Sequence, residues 1–447
     1  MFQFKQIPKP VIDIIQKFNQ HQAEIYIVGG AVRDLILNQS IHDWDFATNL
    51  TTNQMHELFP KNSFCNNNYG TFSIVGPHKQ IFEITTYRKD EQYSDSRHPS
   101  KLNWGKSIKE DLGRRDFTVN TIALKINLKN KSFQLIDPFN GQQDIKNKII
   151  RSVGNASDRF SEDALRMLRA VRLACQLSFV IEDKTFSAIQ KQAHLLSNIA
   201  GERIRDELFK ILLSSQPAFG MVVLKNANLL EIIMPELLIG IDFQQKGHHV
   251  YNVWEHNLRS MQNCQTSDPI TKLAALLHDV AKPIVAQGKG EARTFYNHEV
   301  VGSRIAVKIG KRLKLSNQQL DKLFRLVRWH MFTCQTDQSD RAIRRFIRRV
   351  TPDYLDDMIA LRRGDRLGSG SRETSWRWEL FKKRLIEVQK QPFKVTDLKI
   401  NGRDVMQALN LKPGPKIGQI LDKLFKQVEG NPKLNQRHVL LEKLEEI

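Results

Sequence analysis

Residues 25–48 read IYIVGGAVRDLILNQSIHDWDFAT. An apolar run meets two glycines, an Arg-Asp pair opens a helix-like stretch, and Asp43 and Asp45 then stand on either side of Trp44. On a strand, where side chains alternate, the two carboxylates share one face. Side by side they repel unless a cation lies between them. The natural occupant is Mg²⁺, which takes one or two carboxylates and completes its shell with phosphate oxygens. The Gly29-Gly30 turn lets backbone amides approach a triphosphate, the following helix start adds its dipole, and Arg33 adds charge. Separately, a glycine pair is usually only a turn and a D-x-D only a solvated edge. From Gly29 to Asp45 they fall together within seventeen residues, and that combination points to nucleotidyl transfer, with metal ions activating a hydroxyl and neutralising the departing pyrophosphate.

Two further stretches belong to the same reading. Glu83 in IFEITTYR lies on a second expected strand, as a third carboxylate beside the first two or as an exposed strand glutamate. EDLGRRDFTVNTIAL sets Arg114, Arg115 and Asp116 before an apolar run, either as a capped helix start or as a site for a ribose and phosphate.

Composition agrees with a phosphate-rich partner. The 447 residues carry 68 Lys and Arg against 48 Asp and Glu, a formal charge of +20. Such a balance suits a nucleic acid better than a small acidic metabolite. Cys65, Cys175, Cys264 and Cys334 are scattered, with no C-x-x-C, so a reducing compartment is expected. The start MFQFKQIPKPVIDIIQ has no apolar signal region, and the most apolar stretch, LLEIIMPELLIGI, is broken by Glu231, Pro235 and Glu236. A cytoplasmic protein without a membrane partner is therefore expected.

Four regions follow one another. Residues 1–145 alternate strand and helix signals and form the α/β part. Residues 146–240 turn helical, as in SEDALRMLRAVRLACQL, where Leu165, Leu168, Val171 and Leu173 form the apolar set and Ser161 is the expected N-terminal cap. Residues 247–385 are helical and rich in histidine, and QKQPFKVTD marks a boundary before a last helical unit at 395–447.

In order, GGAVRD, DWDFAT, EDLGRRDFTVNTIA, IDPFNGQQDI, RFSEDALRMLRAVRLA and GERIRDELFKIL resemble the motifs of the bacterial class II tRNA nucleotidyltransferases and poly(A) polymerases. The resemblance spans roughly residues 20–240 and implies a DNA polymerase beta-like nucleotidyltransferase head followed by an all-helical neck, an HD domain and a tail. It implies that Asp43 and Asp45 bind catalytic Mg²⁺, that Arg114, Arg115 and Asp116 meet the ribose, and that Asp163 and Arg166 present hydrogen-bond edges to the incoming base. A carboxylate accepts from an exocyclic amino group and a guanidinium donates to ring acceptors. On the residues alone, Asp163 and Arg166 also read as an ordinary helix-surface pair. The implied reaction is addition of CCA, or of its terminal A, to tRNA from CTP and ATP. RKDEQYSDSRHPSKLNW at 88–104 is similar to the loop associated with adding the terminal A. CNNNYGTFSIV lacks the basic element typical of the poly(A) polymerases, which remain the alternative.

His256, His278, Asp279, His298, His330 and Asp365 are ordered like the ligands of an HD-type metal phosphohydrolase. The resemblance implies a divalent metal of unspecified identity and hydrolysis at phosphorus, for instance on damaged or 2′,3′-cyclic tRNA ends. His248 and His249 stay outside the pattern. A phosphohydrolase that uses its head only to capture RNA is a further alternative.

RAIRRFIRRV sets Arg341, Arg344, Arg345, Arg348 and Arg349 along one helix face, opposite Ile343, Phe346, Ile347 and Val350. The row reads as an RNA contact, since five arginines without an interleaved acid repel one another. The tail is similar to the C-terminal unit of HD-bearing tRNA nucleotidyltransferases, which implies a second contact to the tRNA body. The sequence leaves the oligomeric state open.

Overall fold

A computed structural model describes residues 3–41, 43–65, 70–90, 102–245, 250–332, 335–389 and 395–446. The chain divides into two compact units, residues 1–238 with 312–314, and residues 239–311 with 315–447.

The first unit is built on a seven-stranded sheet. Its strands in chain order are β1 (Ile25–Val28), β2 (Asp45–Thr48), β3 (Ser63–Cys65), β4 (Thr71–Val75), β5 (Ile81–Thr86), the separate ribbon β6 (Arg88–Asp90) with β7 (Leu102–Trp104), then β8 (Ala123–Asn127) and β9 (Ser132–Ile136). The sheet order is β3-β4-β5-β2-β1-β8-β9. Every residue of β1 is buried, as an unbroken apolar run in a central strand should be. On β5 burial alternates, with Phe82, Ile84 and Thr86 inward and Ile81 and Glu83 outward. β2 runs antiparallel to β1 and parallel to β5, and the latter register sets Asp45 opposite Glu83. The opening stretch thus folds as strand, glycine turn, short helix Gly30–Ile36 and return strand.

Beyond the sheet the unit is almost entirely helical, apart from a two-residue parallel pairing of Ile149–Ile150 with Val180–Ile181. Leu165, Leu168, Val171 and Leu173 are buried on the helix Leu165–Leu177. The cap is displaced from its expected place. Ser161 lies inside the preceding helix, Ala156–Glu162; the N-cap position is Ala164, and Asp163, one residue before it, accepts from the Leu165 amide through Oδ1 at 3.0 Å. The residue that ends one helix thus supplies a side-chain acceptor to the first turn of the next.

The described elements of the second unit are helices, apart from a single antiparallel bridge between Gln287 and Thr294. Its tail holds a core of its own, including Val405, Ile420, Leu424, Val428 and Leu440. The arginine helix, Asp340–Val350, is not a uniform cationic face. Arg344 is buried and donates to the Glu429 carbonyl oxygen, and Arg348 pairs with the Glu429 carboxylate, while Arg341, Arg345 and Arg349 are exposed. The expected row of five is divided because two of its members join this helix to the tail. The long loop expected at 88–104 begins and ends in the β6–β7 ribbon, and its residues 91–101 lie outside the described residues, as do His248 and His249.

Candidate functional site

In the first unit the carboxylates gather where β2 begins: Asp45 opens the strand opposite Glu83 of β5, while Asp43, expected on the same strand face, lies just before the strand. Asp45 is half-buried, and Asp43 and Glu83 are exposed. Burial pushes the Asp45 carboxyl up, the Arg115 guanidinium opposes it, and Glu83 and Asp43 push it up further. An oxygen-only donor set with one carboxylate disfavoured in its charged form fits a hard divalent cation. Gly29, at φ +71°, sits directly over this point. A Cβ there would meet Arg115 Nη1 at 3.0 Å and Asp45 Oδ2 at 3.7 Å. The turn therefore needs glycine both for its backbone angle and for the approach.

The arginines are anchored from behind. Buried Asp111 accepts from Arg114 Nη2 at 2.7 Å and from Arg115 Nη2 at 3.1 Å, an i, i+3, i+4 arrangement on one helical turn. Arg33 donates to Asn120 at 2.7 Å and to Asp34 at 2.8 Å. Asp116 does not stand beside Arg114 and Arg115 as an open site residue. It is buried and bound to Arg169 at 2.6 Å. Burial disfavours its charge, but Arg169 and Arg166 outweigh this and bring it down to about 2. Asp163 Oδ2 accepts from Arg203 at 2.9 Å, while Arg166 donates to Glu162 at 2.5 Å and to the Arg114 carbonyl at 3.2 Å. Asp163 and Arg166 are thus each held by a different partner rather than paired together. Helical spacing could have shown Asp111 and Glu162, whereas Asn120, Arg169 and Arg203 lie within the quoted motifs but far in sequence from Arg33, Asp116 and Asp163, so no local period paired them.

In the second unit five helices bring six ligands together. His256 lies on Val253–Asn263, His278 and Asp279 follow Pro269–Leu277, and His298 opens His298–Arg312. His330 follows Asn317–Arg328, and Asp365 lies on Leu355–Gly368. Two triads form, His256 with His278 and Asp365, and Asp279 with His298 and His330. Asp279 joins them, with Oδ2 3.3 Å from His256 and 3.4 Å from His278, and Oδ1 3.3 Å from His298 and 3.7 Å from His330. The Nδ1 atoms of His278, His298 and His330 lie 2.8, 2.8 and 2.7 Å from the carbonyls of Ala275, Phe295 and Val327. Donation there fixes the tautomer and leaves each Nε2 lone pair for a metal. A mixed N/O set with a central carboxylate fits one or two borderline divalent cations.

Helix packing brings the last ligand, Asp365, to the cluster. A Cβ on Gly364 would lie 2.4 Å from the Ser260 carbonyl oxygen, and one on Gly368 2.7 Å from the Ser260 nitrogen. The two glycines, one turn apart, let the Asp365 helix close on the His256 helix and set Asp365 Oδ1 3.3 Å from His256. Lys282 and Arg362, neither anticipated as site residues, bind the carboxylates at 2.6 Å (Asp279) and 2.7 Å (Asp365). Burial opposes charge at His278, yet Asp279 and Asp365 push it up to about 10. Burial likewise opposes charge on Asp279, and Lys282 and His278 hold it well below the usual carboxylate range. Metal entry must therefore displace protons.

Four family models match the chain: a poly A polymerase head domain over residues 25–151, a probable RNA and SrmB-binding site of polymerase A over 178–239, an HD domain over 247–363, and a tRNA nucleotidyltransferase domain 2 over 379–444. The CCA-adding enzyme of Limosilactobacillus reuteri is 32% identical over 450 residues, covering 99% of this chain and 98% of that protein. The A-adding tRNA nucleotidyltransferase of Deinococcus radiodurans is 35% identical over 330 residues, covering 70% of this chain and 74% of that one. Among solved structures, the Bacillus stearothermophilus CCA-adding enzyme in complex with CTP matches with a TM-score of 0.72 at 25% identity, covering 98% of each chain.

Proposed function

Because the chain belongs to the CCA-adding enzyme family, we propose that it adds cytidine, cytidine and adenosine to the 3′ end of tRNA from CTP and ATP. The observation that carries this reading is the register of Asp45 against Glu83 on parallel strands, with Asp43 beside them and Gly29 over the same point, in a chain that aligns end to end with such enzymes. In each step the tRNA 3′-oxygen bonds to the α-phosphorus, the bond from that phosphorus to the bridging oxygen breaks, and pyrophosphate leaves. Mg²⁺ held by Asp43 and Asp45, with Glu83 beside them, would lower the pKa of that hydroxyl and neutralise the leaving group. The chain's own contribution is positioning. Gly29 keeps the triphosphate approach open, Arg115 is fixed by Asp111, and Arg33 is fixed by Asn120. Asp163 and Arg166 present the base-reading edges, each immobilised by Arg203 or Glu162. Arg114 meets the ribose, and Asp116 supports that wall through Arg169 rather than touching substrate.

Extension of a tRNA ending at its discriminator base, and of one ending in CC, tests this with Mg²⁺ and CTP, ATP or both. C, C and A followed by a stop is expected. Growth of the CC-ended tRNA alone, by one A, would assign the chain to A addition, and continued A addition would make it a poly(A) polymerase.

A second activity rests on the two triads joined by Asp279, namely hydrolysis of a phosphate ester such as a 2′,3′-cyclic RNA end. Water oxygen bonds to phosphorus, one of the two ribose oxygen–phosphorus bonds breaks, and the departing oxygen takes the proton. A divalent metal there would supply an activated water. No described helix is long and apolar enough to cross a membrane.

A further inference from the structure

Five of the six HD ligands, all but His256, line a cavity of about 510 Å³ whose other walls include Lys282, Arg362, Arg366, Tyr296 and Met331. A second cavity, of about 390 Å³, is lined by Arg328, Trp329, Phe346, Arg345 and Arg349, and again by Met331. One stretch of chain serves both. His330 is a metal-ligand candidate in the first cavity, its neighbour Trp329 lines the second, and Met331, 60% exposed, forms a wall of each.

The second cavity has the chemistry of a nucleotide subsite. The Arg328 and Arg349 guanidinium groups lie 4.1 and 4.5 Å from the centre of the Trp329 ring. Such a stack flattens a guanidinium against the ring and keeps its in-plane donors available. Arg328 pairs with Glu299 at 3.3 Å, but Arg345 and Arg349 are exposed and have no acidic partner among the described residues. These are members of the arginine row that the tail leaves open. Exposed arginines beside aromatic rings favour phosphate and a stacked base together.

We propose that this pocket binds the nucleotide preceding the one held at the HD ligands, so that the HD domain acts on the end of a single-stranded RNA and discriminates against a mononucleotide. Arg345 and Arg349 take the internucleotide phosphate, and Met331 stands between successive bases. The inference rests on the phosphohydrolase reading above, and extends it from a reaction to a substrate length.

The test uses the full-length protein loaded with Mn²⁺ and two substrates, cytidine 2′,3′-cyclic phosphate and the trinucleotide CCC ending in a 2′,3′-cyclic phosphate. The wild type is expected to favour the trinucleotide at least about tenfold in kcat/KM, and Arg345→Ala with Arg349→Ala to bring that ratio to about one. The corresponding lysine pair should restore part of it, because charge is kept while the planar fork is lost. A second readout is independent of hydrolysis: fluorescence anisotropy of a 5′-labelled CCC 3′-phosphate on metal-free protein across a salt series. The double alanine variant should weaken binding about tenfold and flatten the salt slope by about 0.7 for each phosphate that is no longer neutralised. A ratio that the variant leaves in place, or a salt slope that does not move, overturns the proposal. If neither substrate is hydrolysed, the phosphohydrolase reading fails, and the anisotropy series alone decides whether the subsite exists.

Discussion

The head and the HD cluster are both built to handle phosphate esters, yet they are prepared to opposite degrees. In the HD cluster the six ligands approach within 3.0–3.7 Å, five of them at most 5% exposed, and three imidazoles are already oriented by backbone carbonyls. In the head, Asp43 and Glu83 stand in solvent, Asp45 is half-buried, and the three do not form a convergent triad of the kind found twice in the HD cluster. The difference follows from what arrives with the metal. A triphosphate brings oxygen ligands with its Mg²⁺, so the head needs only one or two carboxylates. A metal that activates water must be held before substrate comes, so the protein supplies the whole set.

The comparison breaks first at Asp45. Asp45→Asn should lower nucleotide addition to CC-ended tRNA by about 10³-fold, the scale expected when a preorganised charge at a reacting centre is removed. Quench-flow measurement of single additions checks this. A loss of less than about tenfold would mean that the carboxylates at β2 and β5 are not the reacting centre.

Metal retention separates the sites next. After desalting, protein incubated with Mn²⁺ should keep metal, and Asp279→Ala should lose it, as measured by elemental analysis. At a free metal concentration of 100 times Kd, retention should stabilise the second unit by about 2.7 kcal/mol against urea. Retention that follows Asp45 instead of Asp279 would invert the comparison.

Gly368→Ala probes why the HD cluster is closed. Its Cβ would fall 2.7 Å from the Ser260 backbone nitrogen, and overpacking of this kind typically costs about 1–3 kcal/mol. The expected result is a denaturation midpoint lowered by that amount together with weaker Mn²⁺ retention. A stable variant with full retention would show that the helix spacing is not what sets Asp365.

The two sites also differed in how far the sequence revealed them. Gly29, Asp43 and Asp45 were readable because they lie within one supersecondary unit, although Asp43 precedes the strand that Asp45 opens, so the expected alternation along a strand does not set its direction. The HD ligands were readable only through their order, since five separate helices supply them and no local period links His256 to Asp365. Arg344 and Arg348 were misread as open charge because their partner, Glu429, is some eighty residues away and a helical wheel shows nothing of a neighbouring helix. Asp116 was misplaced for the same reason. Its neighbours Arg114 and Arg115 turn to Asp111, while Asp116 turns inward to Arg169.

Asp116 sharpens the comparison at its smallest scale, because it shows that buried charge in the head is compensated by the protein itself. Burial opposes the Asp116 carboxylate, and Arg169 and Arg166 overcome it and hold it near 2, against an ordinary value of 3.8. A carboxyl lowered on folding contributes stability that is fully present above its unfolded value and is lost as pH falls through the folded one. The contribution is about 2 kcal/mol, present above pH ~4 and lost towards pH ~2. Asp116→Asn should therefore lower the stability of the first unit by about that amount at pH 7, with the difference from wild type shrinking in urea titrations as the pH is brought down. Chelating agents should leave this difference unaltered, whereas they should remove the Mn²⁺-dependent stability of the second unit. If chelation erased the Asp116 effect, the head's buried charge would depend on metal after all, and the contrast between a substrate-completed site and a protein-completed one would have to be abandoned.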